Sequence, residues 1–397
     1  MAAPLLLAEY RSAGIDEEKL GLIASIGLFF YAVGKLLGGT LCDFLGGRRM
    51  FLLGMVLSAL ATVAFGISGG LATFVLAWSL NRFVQSVGWS ALVKIASAWF
   101  PPERLGTIMG VLALSYLFGD ALAKLVLGQL LAHGLGWRGI FAASAAILLA
   151  VALLVSRVLR ASPKDVGEEE PEARPTNLYG ARGNDKRPES LSDLLLPLLK
   201  SPTFLLVCVM SFGLTVLRET FNFWTPTYLV QVTKLSASDA ARWSGTFPFF
   251  GGLSILAAGY LSDRFFGTRR GPVMFLFLVP ATLCLAALAG IEDGSEPRLP
   301  IVLISATGFL LIGPYAFLSG AISLDLGGKK ASATAAGIAD AVGYFGTVIS
   351  LVGVARLASS SSWGAAMGVL ATIAAVTVCT AGLYWWRHDR VRRPGLT

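Results

Sequence analysis

Eleven apolar stretches of about twenty residues recur along the chain, and a helix of that length spans the roughly 30 Å hydrocarbon core of a bilayer. They cover approximately residues 20–41, 50–68, 71–94, 105–131, 138–157, 203–228, 241–262, 272–290, 300–324, 333–355 and 363–386. With 55% of residues apolar and only 14% charged, no single globular core hides so many such segments, which excludes a soluble protein. The expected fold class is an all-α membrane protein.

The stretch 158–200 breaks the pattern with seven basic and eight acidic residues, among them Glu168, Glu169 and Glu170, and with Pro163, Pro171, Pro175 and Pro188. It is expected to be a solvated linker between two halves, residues 1–157 and 201–397. If the linker lies inside, 20 basic residues fall on its side of the membrane, seven on the other side and five within spans. That bias expects the linker and the basic C-terminal tail in the cytoplasm. It also accounts for the net charge of +8 without a nucleic-acid partner, whose binders concentrate charge on one soluble face. Cys42, Cys208, Cys284 and Cys379 lie inside apolar stretches without C-x-x-C pairing, and His133 and His388 are far apart. No disulfide frame, metal site or cofactor is expected.

An internal repeat relates the halves. Gly39-x-x-x-Asp43-x-x-Gly46-x-Arg48-Arg49 returns about 220 residues later as Gly259-x-x-x-Asp263-x-x-x-Gly267-x-Arg269-Arg270. In each copy the glycine lets two helices touch, the aspartate has the chemistry to pair with a basic group or a helix N-terminus, and the arginines stay in water. Gly39, Asp43, Arg48, Gly259, Asp263 and Arg269 are therefore expected to form conformational latches that break and re-form as two bundles rock. A weaker echo links Glu103-Arg104-x-Gly106 to Lys329-Lys330 followed by Gly337.

The doubled G-x-x-x-D-x-x-G-x-R-R pattern across a charged central loop resembles the major facilitator superfamily. Arg218 followed by Phe223-Trp224-Thr225-Pro226-Thr227-Tyr228-Leu229, Gln85-Ser86-Val87-Gly88-Trp89, Ser162-Pro163-Lys164-Asp165-Val166-Gly167, and Lys329-Lys330 through Gly337 with Gly343-Tyr344 are similar to the organophosphate:phosphate antiporter family within it. The resemblance spans nearly the whole chain. It implies two pseudo-symmetric six-helix bundles in a cytoplasmic (inner) membrane, exchanging phosphate esters for inorganic phosphate by alternating access. It also implies that Arg218 is the substrate-binding arginine and that Lys35 is the family's intramembrane lysine. The chain departs from the family at Ser115, where glycerol-phosphate carriers have histidine, at Ser86, and at Asp120 and Asp340, which have no acidic counterpart there.

Each ionisable side chain deep in a span requires a partner, a wet cavity or a function. Arg218, about 15 Å from the outer end of its helix, presents a planar fork suited to phosphate or carboxylate. Pairing with Glu219 is the rival reading, but adjacent helical residues point about 100° apart, which favours ligand binding. Lys35 has two readings, attraction of an anion or an interdomain pair. Asp120 and Lys124 have the spacing of a local ion pair, and Asp340 is the candidate for a proton site or a hydroxyl-reading acceptor. Arg82 with Gln85 resembles the fourth-helix motif of proton-coupled facilitators, and Lys94 is expected to snorkel. Tyr31, Tyr116 and Tyr344 are lower-ranked hydrogen-bonding candidates.

The expected function is a secondary carrier, acting as a monomer, that moves a small organic anion bound by Arg218, Lys35, Asp340, Ser115, Tyr344 and Tyr31. A proton-coupled organic-anion symporter and a ligand sensor without turnover are the alternatives; no constellation of enzyme residues stands out. One further expectation concerns the start of the chain. Residues 1–8 span only about 12 Å as helix, and Pro4-Leu5-Leu6-Leu7 corresponds to Pro226-Thr227-Tyr228-Leu229. The repeat thus expects a first helix that is only partial, and a partner for Arg218 eight residues before Pro4. A start codon assigned too far downstream is the favoured explanation and a genuine truncation the alternative.

Overall fold

The computed structural model describes residues 17–173, 177–185 and 187–389. The expected partial first helix falls on residues 1–16 and lies outside them. Along the N-terminal half run α1 (Glu17–Leu45), α2 (Gly47–Gly66), α3 (Leu71–Gln85), α4 (Val87–Trp99), α5 (Leu105–Ala132) and α6 (Trp137–Val158). After the short α7 (Leu191–Leu199) come α8 (Pro202–Thr233), α9 (Ala237–Ser244), α10 (Thr246–Phe265), α11 (Arg270–Ala289), α12 (Arg298–Phe317), α13 (Ser323–Ser360) and α14 (Trp363–Tyr384). Each of the eleven expected spans is occupied by one or two of these helices. Among the described residues, seven segments are long and apolar enough to cross a membrane by length and composition. The number is below eleven in part because one span is split at Ser86 into α3 and α4, and because α12 and α13 run together across a bend at Gly320. Leu60, Phe118, Leu154 and Ile349 stand exposed on the outer surface, where lipid tails are the natural neighbours.

Local chemistry sets the helix ends. Gly46 (φ +91°) and Gly267 (φ +56°), the glycines of the repeated motif, turn the chain in the left-handed region after α1 and α10. Ser201 and Ser362 cap α8 and α14 by accepting from the Phe204 and Ala365 amides. Near the start of α13 the backbone is non-helical at Gly328 and Ala331, so the straight part of that helix begins just before Thr334.

The halves meet where α4 packs on α13 and along two further helix crossings, α1 on α13 and α10 on α5. Both are glycine contacts, and both come from the sequence repeat. A Cβ at Gly39 would lie 3.0 Å from Gly337 Cα, and one at Gly259 would lie 2.8 Å from the Gly106 carbonyl oxygen. The weaker echo in the sequence, Gly106 and Gly337, is therefore the mating face of the stronger one.

The linker is not the freely solvated tether expected from its composition. Its Leu178 amide donates to the Leu326 carbonyl at 2.9 Å, and the Tyr179 hydroxyl donates to the Leu194 carbonyl. Leu194 and Leu198, four residues apart on α7, are fully buried. Lys330, only 1% exposed, pairs with Asp193 at 2.7 Å and Asp185 at 3.4 Å, and Lys329 pairs with Glu170 at 3.1 Å. The composition misled in part, because Glu170, Asp185 and Asp193 balance buried lysines of the C-terminal half, while Glu168, Glu169, Glu172 and Glu189 are exposed.

The Lys330 hydrogen bond holds the Asp193 carboxyl below its ordinary range. A depressed carboxylate pKa contributes stability that is fully present above the unfolded value, about 3.9, and is lost as pH falls through the folded one. Limited proteolysis of the linker is accordingly expected to be unchanged from pH 8 to pH 5 and to rise only in more acidic solution. A rise in cleavage near neutral pH would contradict this.

Candidate functional site

A cavity of about 520 Å³ lies between the halves, lined among others by Tyr31 and Lys35 of α1, Trp89 of α4, Arg218 and Asn222 of α8, Tyr315 of α12, and Asp340 and Tyr344 of α13. Arg218 sits near the middle of the 32-residue α8. Its guanidinium carbon is 4.1 Å from the Tyr315 ring centroid and 6.0 Å from that of Tyr344, a cation between aromatic faces. Nη2 donates to the Tyr344 hydroxyl at 3.0 Å and to the Glu219 carboxylate. The expectation that adjacency on a helix keeps Arg218 and Glu219 apart is thus corrected: the Cα–Cβ directions diverge, but the two long side chains curl together. Nε of Arg218 is buried without a hydrogen-bond partner.

Lys35 and Asp340 form a cross-half ion pair at 2.7 Å, with their side chains 2% and 3% exposed. Of the two readings of Lys35, the structure shows the interdomain pair. Asp340, isolated from basic residues in sequence, has its partner 305 positions away. Its other oxygen, Oδ1, is buried without a hydrogen-bond partner. Tyr31 and Tyr344 meet edge to face at 4.9 Å between centroids. Arg82, hydrogen-bonded to Gln85 at 3.4 Å, stacks 4.6 Å over the Tyr31 ring.

The ion pair is the first rung of a ladder. Residues 35, 39 and 43 recur every four positions on one face of α1, and 340, 337 and 334 recur every three on α13. Lys35 pairs with Asp340, Gly39 packs on Gly337, and Asp43 Oδ2 accepts from the Thr334 amide at 2.7 Å. Asp43 also pairs with Lys94 at 2.8 Å, and Lys94 donates to the Lys329 carbonyl. Lys94 therefore does not merely snorkel. The second motif copy builds a counterpart: Asp263 Oδ2 accepts from the Thr107 amide at 2.7 Å and its hydroxyl at 2.8 Å, and Oδ1 pairs with the fully buried Arg270. In each case a carboxylate of one half meets the first turn of a helix in the other, where the helix dipole favours negative charge. These contacts concentrate at the linker end of the molecule.

Several expected residues sit elsewhere. Arg48 does not join the seam; it donates to the Leu159 and Ser156 carbonyls at 2.7 and 2.6 Å and ties α2 to α6 within its own half. Arg269 yields its expected place to Arg270, because the chain turns at Gly267 and Thr268 and brings the second arginine back over Asp263. Ser115 is exposed and does not line the cavity, where α5 presents Ala113 and Leu114 instead. The side chains of Tyr116, Asp120 and Lys124 lie outside the described residues. Sequence reasoning missed Tyr315, Asn222, Trp89, Thr107 and Thr334. Asp43 and Asp263 were recognisable as seeking helix N-termini, but which helices waited on the fold.

If these carboxylates hold a seam that must open, Asp43→Asn and Asp263→Asn each lower turnover about tenfold while the apparent affinity changes less than threefold, a tenfold effect being about 1.4 kcal/mol. Loss of affinity at unchanged turnover would assign them to the binding step instead.

Comparison with known proteins gives three findings. The family model described as Major Facilitator Superfamily matches residues 1–351. Among curated relatives, a probable hexose phosphate transport protein of Chlamydia trachomatis is 26% identical over 373 residues, covering 91% of this chain and 81% of the relative. A glycerol-3-phosphate transporter of Bacillus subtilis is 25% identical over 344 residues, covering 84% and 76%. Among solved structures, the E. coli fucose:proton symporter FucP superposes with a TM-score of 0.70 at 16% identity over 96% of this chain and 94% of that one, a likeness of fold.

Proposed function

The chain belongs to the Major Facilitator Superfamily, and from that membership we propose that it is a secondary carrier exchanging a phosphate ester for inorganic phosphate by alternating access. The observation that carries the reading is Arg218, a guanidinium fixed between two tyrosine rings at mid-helix on the wall of a cavity between the halves, with Nε still unmatched. A delocalised, permanently charged fork of this kind binds a phosphate oxygen pair through two parallel donors. The names of the hexose phosphate and glycerol-3-phosphate relatives agree with that chemistry. Residues 1–157 and 201–397 act as the two rocking bundles, with the linker and C-terminal tail in the cytoplasm and the chain in the cytoplasmic membrane. The Asp43 and Asp263 contacts close the cytoplasmic seam, and substrate enters from the opposite side. In this role the protein is a transporter rather than an enzyme.

One observation favours a second reading, proton-coupled symport: Asp340 is a buried carboxylate on the cavity wall, paired across the halves. A single experiment separates the two. Purified protein in liposomes is loaded with phosphate, and uptake of labelled phosphate is compared with uptake driven by a pH gradient alone. Exchange that requires internal phosphate supports the antiporter. Uptake driven by the gradient without internal phosphate overturns it in favour of the symporter, and binding without either flux overturns both.

A further inference from the structure

The cations at the cavity are set against carboxylates. The two cations on its wall, Lys35 and Arg218, are each already matched to a carboxylate, Asp340 and Glu219. Arg82, stacked on Tyr31, adds a third cation beside them. Among the described residues this group holds three positive and two negative charges. A ligand carrying only negative charge competes with both carboxylates for their cations and leaves Asp340, 3% exposed, buried without compensation, the costly outcome for an ion pair out of water. The chain retains both carboxylates nonetheless.

Two atoms on this wall point to what the ligand supplies. Among the described residues, Arg218 Nε is a buried donor without an acceptor, and Asp340 Oδ1 is a buried acceptor without a donor. Buried polar atoms of this kind are normally satisfied, so each marks a place for a ligand group of opposite character. Asp340 and Tyr344 are four residues apart on α13, about 6 Å between Cβ atoms, and Tyr344 holds Arg218 through its hydroxyl. The acceptor and donor places therefore belong to one cavity wall, joined through α13. Aromatic faces of Tyr31, Trp89, Tyr315 and Tyr344 line the space between, and aromatic faces favour a cation.

We infer that the preferred substrate is a zwitterionic phosphate ester, with a phosphate on Arg218 and an ammonium group on Asp340. The inference rests on the phosphate-ester reading of the same cavity and names the substrate class within it. At neutral pH a phosphate monoester is largely dianionic, its second pKa being about 6, and with one ammonium its net charge is −1. That matches the single excess positive charge of the group. The ammonium takes over Asp340 from Lys35, which frees Lys35 to turn toward the phosphate, and Asp340 is not stranded.

The test uses a matched pair of probes, glucosamine 6-phosphate and glucose 6-phosphate, which differ by an ammonium in place of one hydroxyl. Each competes against labelled inorganic phosphate exchange by the wild-type protein in liposomes. The expected result is at least tenfold tighter competition by the amino ester, with the ratio falling to near one in Asp340→Asn. Equal competition by the two probes in the wild type overturns this inference while leaving phosphate-ester exchange standing. A preference that survives Asp340→Asn overturns the assignment to Asp340. Absence of phosphate exchange and of competition by either ester removes the underlying reading itself, so the two failures are distinguishable. Because the wild-type ratio is decisive by itself, poor folding of the variant does not shelter the inference.

Discussion

Arg218→Lys abolishes exchange, by at least about a hundredfold, in a protein that is produced and folded like the wild type. The side chain stays cationic, so electrostatic attraction into the cavity persists. What is lost is geometric. An ammonium is a point charge that cannot present two parallel donors to one phosphate, and it does not lie flat on the Tyr315 ring 4.1 Å away. It also contacts Glu219 and Tyr344 less well at the same time, so the carboxylate beside it becomes a stronger competitor for its own cation. The two bonds of one bidentate contact, at about 1.5–3 kcal/mol for each charge-assisted bond, make a loss of this size reasonable. Phosphate exchange by the reconstituted variant, with thermal unfolding as the control for folding, checks it. Exchange at the wild-type rate would remove Arg218 as the anion anchor.

The second large effect is expected at a residue without a side chain. A Cβ at Gly39 would lie 2.5 Å from the Ala333 carbonyl oxygen and 3.0 Å from Gly337 Cα, and both neighbours are backbone. Backbone in a packed helix does not yield as the end of a flexible side chain does, so Gly39→Val prevents α1 and α13 from closing at the linker end. Exchange is expected to fall at least about tenfold. A cysteine introduced at Thr334, where Asp43 holds the amide at 2.7 Å, is expected to react faster with a polar thiol reagent in that background. Gly88→Val is the control, since no atom lies within 4 Å of a Cβ there. If Gly39→Val exchanges normally and Thr334→Cys labelling does not change, close approach at this crossing is not needed for turnover.

What the sequence revealed and what it hid follow from the range of the interaction concerned. Helices, their ends and the repeat are local or periodic, and they were legible; even the faint echo at Gly106 and Gly337 was a real contact face. Pairings between halves were not. Lys35 offered two readings because Asp340 lies 305 residues away, and nothing local distinguishes a lysine awaiting a ligand from one already paired. Arg269 and Arg270 are adjacent, and only the left-handed turn at Gly267 and Thr268 decides which of them returns to Asp263. Ser115 was placed by alignment of residue type, whereas the rotation of α5 turns Ala113 and Leu114 to the cavity. The linker failed as a prediction for a different reason. Composition counts its charges but not their partners, and Lys329 and Lys330 lie far beyond it in sequence.

That docked linker also relocates the joint between the halves. At its start, Arg48 holds the Ser156 and Leu159 carbonyls, and Trp99 donates to the Arg160 carbonyl at 3.2 Å, so the chain belongs to the N-terminal half up to residue 160. From Glu170 on it is fastened to Lys329, Leu326 and Lys330 of the other half. Residues 161–169, with Ser162 and Pro163 buried, run from one set of fastenings to the other, and a segment of nine residues reaches at most about 30 Å at full extension. In polymer terms the tether that keeps the halves together is a short loop, and its closure entropy is that of about ten residues rather than of the whole of 158–200. Doubling that short loop costs only about 0.6 kcal/mol, so glycine-serine insertions within it leave the halves close to their native effective concentration. Releasing Lys329, Lys330 and the Leu178–Leu326 bond together lengthens the same loop several-fold without adding a residue.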